Sequence, residues 1–155
     1  MIIYKSPSTK DEFKAYYAFR YHVLREPLGL PRGTEKDDYE PIAQHFMAVD
    51  DTTGQIVAVI KLFENKPCDC RFSHLAVREE YQNQGLGQKM VELVEHKARE
   101  HGWKCIGAFT RLSAGPFMEK LGYKRAGNVE SRFDNKLELV WMEKAIDKQY
   151  MHRKT

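Results

Sequence analysis

The stretch "AVREEYQNQGLGQKM", Ala76 to Met90, constrains the fold more than any other part of the chain. It joins an apolar run, "CRFSHLAV", to a segment in which Leu86, Met90, Leu93, Val94 and Ala98 recur at helical spacing. The run reads as a strand ending near Val77, and the segment as a helix from Gly85 to His101. Two glycines, Gly85 and Gly87, therefore stand where a helix should start, although glycine is a poor helix former. A turn accounts for glycine there. So does a ligand that must approach the backbone closely, because the missing Cβ clears its path. The first N–H groups of a helix lack intrahelical partners and together carry roughly half a positive charge. Strand, loop, glycines and helix in that order make the layout of a phosphate site. Arg78 and Lys89 are near enough in sequence to assist.

Two other phosphate motifs do not fit. A P-loop needs Lys-Ser/Thr after its second glycine, and Gln88–Lys89–Met90 does not provide it. A dinucleotide fingerprint needs a third Gly or Ala where Met90 stands, and no acid follows at the right distance.

The rest of the chain alternates helix and strand signals. "MIIYK" predicts a strand. Thr9 caps a helix with Glu12 at the capping-box spacing, and Phe13, Tyr16, Tyr17, Val23 and Leu24 form its apolar stripe. Residues 27–41 are rich in Pro, Gly and acids and predict a loop. His45–Asp50 and Gln55–Phe63 predict a hairpin around "DTTG". Gly102 suits the end of the long helix. "KCIGAF" predicts a strand, and Ser113 is placed to cap a short helix, "AGPFMEKL", which Gly122 ends. "YKRAGNVESRF" and "KLELVWMEK" predict antiparallel strands around "DN". The fold class expected is α/β (α+β): a mixed, mostly antiparallel sheet flanked by helices.

A length of 155 residues suits one domain, 1–155, with a polar end from about 145 expected to fray. The net charge of +3 is too mild, and the basic residues too interspersed with acids, to indicate nucleic acid. "MIIYKSPSTKDEF" resembles neither a signal peptide nor a membrane span. Three cysteines, Cys68, Cys70 and Cys105, without a secretory signal predict reduced thiols and a cytoplasmic protein. "CDC" offers two sulfurs with His74 nearby, but a structural zinc wants four ligands, so no metal site is expected.

"QNQGLG" (82–87) resembles the Q/R-x-x-G-x-G/A signature of the GNAT acetyltransferase superfamily. "HLAV" followed by "REEYQNQGLGQKMVELVEHKARE" looks like that family's fourth strand and cofactor helix. "AGPFMEKLGYK" (114–124) looks like its later helix, and "LELVWMEK" like its closing strand. Residues 1 to about 145 match in order and spacing. The resemblance implies an acetyl-CoA-dependent N-acetyltransferase, with direct transfer to an amine of a small molecule or peptide. The alternative is a non-catalytic acyl-CoA-binding module of the same fold. Neither nucleic acid nor membrane is an implied partner. Such proteins are often dimers, and "LELVWMEK" offers an edge that can pair.

The resemblance further implies that the cofactor's pyrophosphate sits on the backbone of Gln82, Asn83, Gln84, Gly85, Leu86, Gly87 and Gln88. Its pantetheine arm would lie along Leu75, Ala76 and Val77, with Phe117 packing on it. Two positions depart from the family pattern. Met118 stands where a proton-donating tyrosine is usual, and Arg71 where some members carry a glutamate base. Arginine stays protonated and cannot serve as a base. His74 and His45 are the titratable candidates, and His74 is the expected catalytic residue. Strand alternation puts His74 on the face opposite Ser73 unless a bulge re-aims it. The loop acids Glu35, Asp37, Asp38 and Glu40 would suit a cationic acceptor or simply face water, whereas Arg20 and Arg25 would suit an acidic one.

Overall fold

A computed structural model describes residues 1–146; most of the tail expected to fray lies outside the described residues. The elements are β1 (Ile2–Lys5), α1 (Lys10–Leu24), β2 (Gln44–Asp50), β3 (Gln55–Glu64), β4 (Cys70–Val77), α2 (Leu86–Glu100), β5 (Cys105–Arg111), α3 (Gly115–Lys120), β6 (Lys124–Arg132) and β7 (Leu137–Ala145). Short 3₁₀ turns lie at Glu26–Leu28, Glu79–Tyr81 and Leu112–Ala114. The strands form one seven-stranded sheet in the order β1-β2-β3-β4-β5-β7-β6. The β4–β5 pairing is parallel, and β1–β2, β2–β3, β5–β7 and β6–β7 are antiparallel. This is the mixed, mostly antiparallel sheet that the pattern predicts. Among the described residues, no helix is long and apolar enough to cross a membrane.

The chain divides into two compact units. The first comprises Met1–Phe63 and His74–Leu93, the second Glu64–Ser73 and the chain from Val94 onward. In the first unit, α1 starts as its sequence demands. The Thr9 hydroxyl accepts the Glu12 N–H at 3.0 Å, and Glu12 reaches back to the Thr9 N–H at 3.3 Å. Its apolar stripe then buries Tyr16 and Phe19 against Met47, Val59 and Ala76, with Phe13, Tyr17, Val23 and Leu24 packed around them. Burying each large side chain of this kind contributes roughly 1.5–3 kcal/mol. Ala76 faces this core, so Leu75 and Val77, half-buried, lie on the other face of β4.

In the second unit, Tyr123 is buried. Its ring meets the Phe72 ring edge-on, and its hydroxyl donates to Glu95 Oε2 at 2.7 Å. The same carboxylate takes the Lys144 ammonium at 3.1 Å, so the one acid buried on α2 is paired. Gly107 leaves room for an indole: a Cβ there would lie 2.1 Å from Trp141 Cζ2.

Two expectations are corrected. Ser113 does not cap α3. The cap position is Ala114, without a side-chain hydrogen bond, because residues 112–114 already form a 3₁₀ turn. The cysteines are not all reduced. Cys68 and Cys105 form a disulfide, and Cys70 is a buried free thiol. The pairing is non-local, so spacing along the chain could not show it, and the cysteines no longer support a reducing compartment.

Candidate active site

β4 ends at Val77, and Arg78 turns the chain away. The Arg78 N–H donates to Val57 O at 2.8 Å, its Nε and Nη2 both donate to Ile56 O, and its guanidinium lies over the Phe19 ring. Arg78 therefore anchors the turn to β3 and is not the free phosphate partner its position suggests. Tyr81, in the turn that follows, donates its hydroxyl to Asp50. The Gln82 side chain donates to Val77 O at 3.0 Å, and the Gln82 N–H to Glu79 O at 3.2 Å. The backbone N–H of Gln82 is thus engaged, and the amides left to consider begin at Asn83.

Asn83 and Gly85 both adopt positive φ, 62° and 82°. A Cβ built on Gly85 meets nothing within 4 Å, so the space in front of the helix start is open. The first α2 hydrogen bond runs from the Lys89 N–H to Gly85 O at 3.1 Å. No acid stands in the first turn of α2, whereas Asp11 and Glu12 occupy that of α1. The two helices thus treat their positive ends differently. α1 neutralises its own; α2 presents its own to a surface where Gln82, Asn83, Gln84, Gly85 and Gln88 are exposed.

His74 sits inside β4 with φ 56°. That left-handed residue breaks the strand's alternation, as a bulge would, so parity no longer dictates where its ring points. Its Nε2 lies 3.5 Å from Arg25 Nη2.

His45 is a different case. Arg20 Nη2 donates to the Tyr16 hydroxyl at 2.8 Å, and that hydroxyl lies 2.8 Å from His45 Nδ1. His45 Nε2 lies 2.9 Å from Glu40 O, a pure acceptor. The chain of donors has one consistent direction, Arg20 to Tyr16 to His45 to Glu40 O, with His45 neutral. Burial lowers its proton affinity, with nearby Arg20 and Lys61 adding to this. Both nitrogens are occupied, so His45 is structural.

The acidic loop is largely consumed internally. Glu40 bonds Arg20 and Lys61, Asp37 bonds Lys61, and Glu35 accepts the Gly33 N–H at 2.7 Å. Burial alone would raise the Glu40 pKa, but Arg20 and then Lys61 reverse this and hold it well below the usual carboxylate range. Arg20 and Lys61 are fully buried. Of the four acids only Asp38 is exposed, so the loop neither faces water as a block nor offers its charge to an amine. Arg20 is equally unavailable to an acidic acceptor. Carboxylate oxygens of Asp37 and Glu40 come within 4.8 Å of a His74 nitrogen, but two buried cations already hold both acids, so a metal ion is disfavoured there.

Residues 41–125, more than half of the chain, match the family model described as acetyltransferase (GNAT) domain. The chain belongs to the GNAT acetyltransferase family. A relative from Bacillus subtilis (strain 168), with a provisional acetyltransferase name, is 22% identical over 125 residues, 79% of this chain and 83% of its own. Two solved structures show the same fold. An acyl-CoA N-acyltransferase from Pseudomonas aeruginosa superposes with a TM-score of 0.77 at 19% identity, covering 94% of this chain and 99% of its own. An aminoglycoside 6'-N-acetyltransferase complexed with coenzyme A gives 0.73 at 17%, covering 94% and 97%. At these identities the likeness concerns fold alone.

Seen as a GNAT protein, the second unit has several telling positions. Phe117 lies exposed on α3, and Met118, buried, fills the usual tyrosine position. Arg71, buried, places its guanidinium 4.9 Å from the Phe109 ring centre, which is packing rather than base chemistry. Neither alternative phenol can replace the tyrosine as it stands. Tyr123 is committed to Glu95, with its pKa driven upward chiefly by burial. Tyr17 donates to Glu40 at 3.1 Å, with its pKa pushed up to about 12 by burial and then Glu40. No local pattern shows that Arg78, Tyr81 and the Gln82 side chain fix the loop, because each binds a partner remote in the chain or a main-chain atom.

Proposed function

We propose that this GNAT protein transfers an acetyl group from acetyl-CoA to an amine nitrogen of a small molecule or a peptide. The supporting observation is the open, left-handed Gly85 at a helix start with no acid in its first turn. A diphosphate fits such a place: the first N–H groups of a helix lack intrahelical partners, no Cβ blocks approach at Gly85, and no acid stands in the first turn to compete. The amides from Asn83 to Gln88 would hold the diphosphate, and Leu75 and Val77 would flank the pantetheine arm. Bound acetyl-CoA supplies the acetyl group as a thioester, which a neutral amine takes up with loss of a proton. His74 adjoins Leu75 in β4, and a neutral imidazole carries a lone pair, so it is the side chain assigned to receive that proton; to do so through Nε2, it must exchange Arg25 for the amine. With Met118 in the tyrosine position and both phenols engaged, the thiol's proton would come from water or the substrate ammonium.

A second reading is a non-catalytic acyl-CoA-binding module, favoured by Met118 and by Arg71 where a base is usual. Thiol release from acetyl-CoA across polyamines, amino acids, aminoglycosides and peptides separates the two. Turnover on any acceptor, reduced at least about tenfold by His74→Gln, supports transfer with His74 as base. Binding without turnover supports the module, and absence of binding overturns both.

A further inference from the structure

The second unit holds a side-chain cluster that acetyl transfer does not use. One ligating atom from each of Cys68, Cys105 and Glu143 lies within 4.8 Å of the other two. The backbone assembles this trio. β5 and β7 pair Cys105 with Ala145 and Gly107 with Glu143, which makes Glu143 a diagonal, same-face neighbour of Cys105. Cys68 arrives from the loop before β4, and that loop is fastened without help from the sulfurs. The Asp69 carboxylate accepts the Lys104 N–H at 2.7 Å and the Lys66 ammonium at 3.1 Å. The Asn65 N–H donates to Asp69 O at 3.1 Å, and Cys70 pairs with Ile106 in the β4–β5 ladder. Cleaving the disulfide would therefore leave both thiols in place. Glu143 is oriented too: the Trp141 indole N–H donates to its Oε1 at 2.7 Å.

We propose that, once the Cys68–Cys105 disulfide is reduced, Cys68, Cys105 and Glu143 bind one thiophilic divalent cation of the zinc class. Disulfide and metal are then alternative states of the same two sulfurs. Two thiolates and a carboxylate form a borderline-soft set that zinc accepts, with water in the fourth position. Ligand atoms around one tetrahedral zinc stand about 3–4 Å apart, so side-chain rotation suffices to close the site. The chemistry balances. A dithiol supplies two electrons and two protons as it closes to its own disulfide, or a phosphine supplies the electrons and water the protons as the phosphine takes up the water oxygen; the cation then displaces the two protons from the two thiols. Cys70 takes no part: its buried thiol donates to Cys105 O at 3.4 Å, and it is not among the three residues whose ligating atoms converge.

The test uses the full chain, reduced with a phosphine, freed of reductant and titrated anaerobically with Co²⁺. One equivalent should bind with a thiolate-to-cobalt absorption band that Zn²⁺ abolishes, and the oxidised chain should show no band. Cys68→Ser should remove it. Glu143→Gln keeps an acceptor for Trp141 yet should weaken binding at least about tenfold, and Cys70→Ser should bind as the parent does. Circular dichroism confirms that each variant is folded. A reduced parent without the band overturns the proposal, as does parental affinity in folded Glu143→Gln or loss of the band in folded Cys70→Ser.

Discussion

Replacing Gly85 by Asn and by Asp separates backbone from charge at the proposed diphosphate site. The two side chains are isosteric, and both tolerate the left-handed region better than other non-glycine residues. At φ 82° with nothing within 4 Å of the new Cβ, each should cost the fold only about 1 kcal/mol, a Tm loss of about 2–4 °C. Their coenzyme A affinities should differ. Two unit charges about 6 Å apart interact by about 0.7 kcal/mol in bulk water and about 3 kcal/mol at an effective dielectric of about 20. Gly85 is exposed, which favours the lower value, but a diphosphate carries more than one charge. Gly85→Asp should therefore bind coenzyme A at least about 3-fold and up to about 150-fold more weakly than Gly85→Asn, with the gap narrowing as salt is added. Isothermal titration calorimetry at two ionic strengths measures this. Equal affinity for the two variants would refute the placement of the diphosphate on these amides.

Gly107→Ala drives a methyl into the Trp141 ring, 2.1 Å from Cζ2 and 2.4 Å from Cη2; the indole must move, with an expected loss of about 1–3 kcal/mol and a changed near-ultraviolet dichroism. An unchanged spectrum and Tm would show that the ring yields at no cost. For His45, burial places the folded pKa below its ordinary 6.5, so the unfolded chain takes up this proton first as pH falls. Its contribution to stability is present above that value and is lost as pH drops below it. Denaturant unfolding between pH 7.5 and 5.5 should show this slope, and His45→Gln should flatten it; parallel curves would contradict the neutral, doubly bonded ring.

What could be read from the sequence is what depends on neighbours a few residues apart. The capping box of Thr9 and Glu12, the turn glycines Gly54, Gly102 and Gly122, the strand "CRFSHLAV" and the helix after Gly85 all follow from backbone sterics and short-range periodicity. Gly85, just ahead of α2, and Gly87, in its first turn, belong to the same class, which is why the position of this helix start is legible in the sequence. Ser113 shows where such reasoning stops. A good cap residue loses its role once the chain has already turned into a 3₁₀ segment.

Only the tertiary structure decided which charges remain available. By local sequence Arg20 belongs to an amphipathic helix, Lys61 to a strand, and Asp37 and Glu40 to a polar loop, and each looks like a surface group. Folding buries the two cations and pairs them with the acids, because a buried charge must find a partner. Arg78 was spent on Ile56 O, and Cys68 met Cys105 rather than Cys70, across 37 residues of chain. Sequence determines the local geometry that exposes a backbone amide. Which side chains are left to act on a ligand depends on partners brought together from distant positions, and no local pattern encodes those meetings.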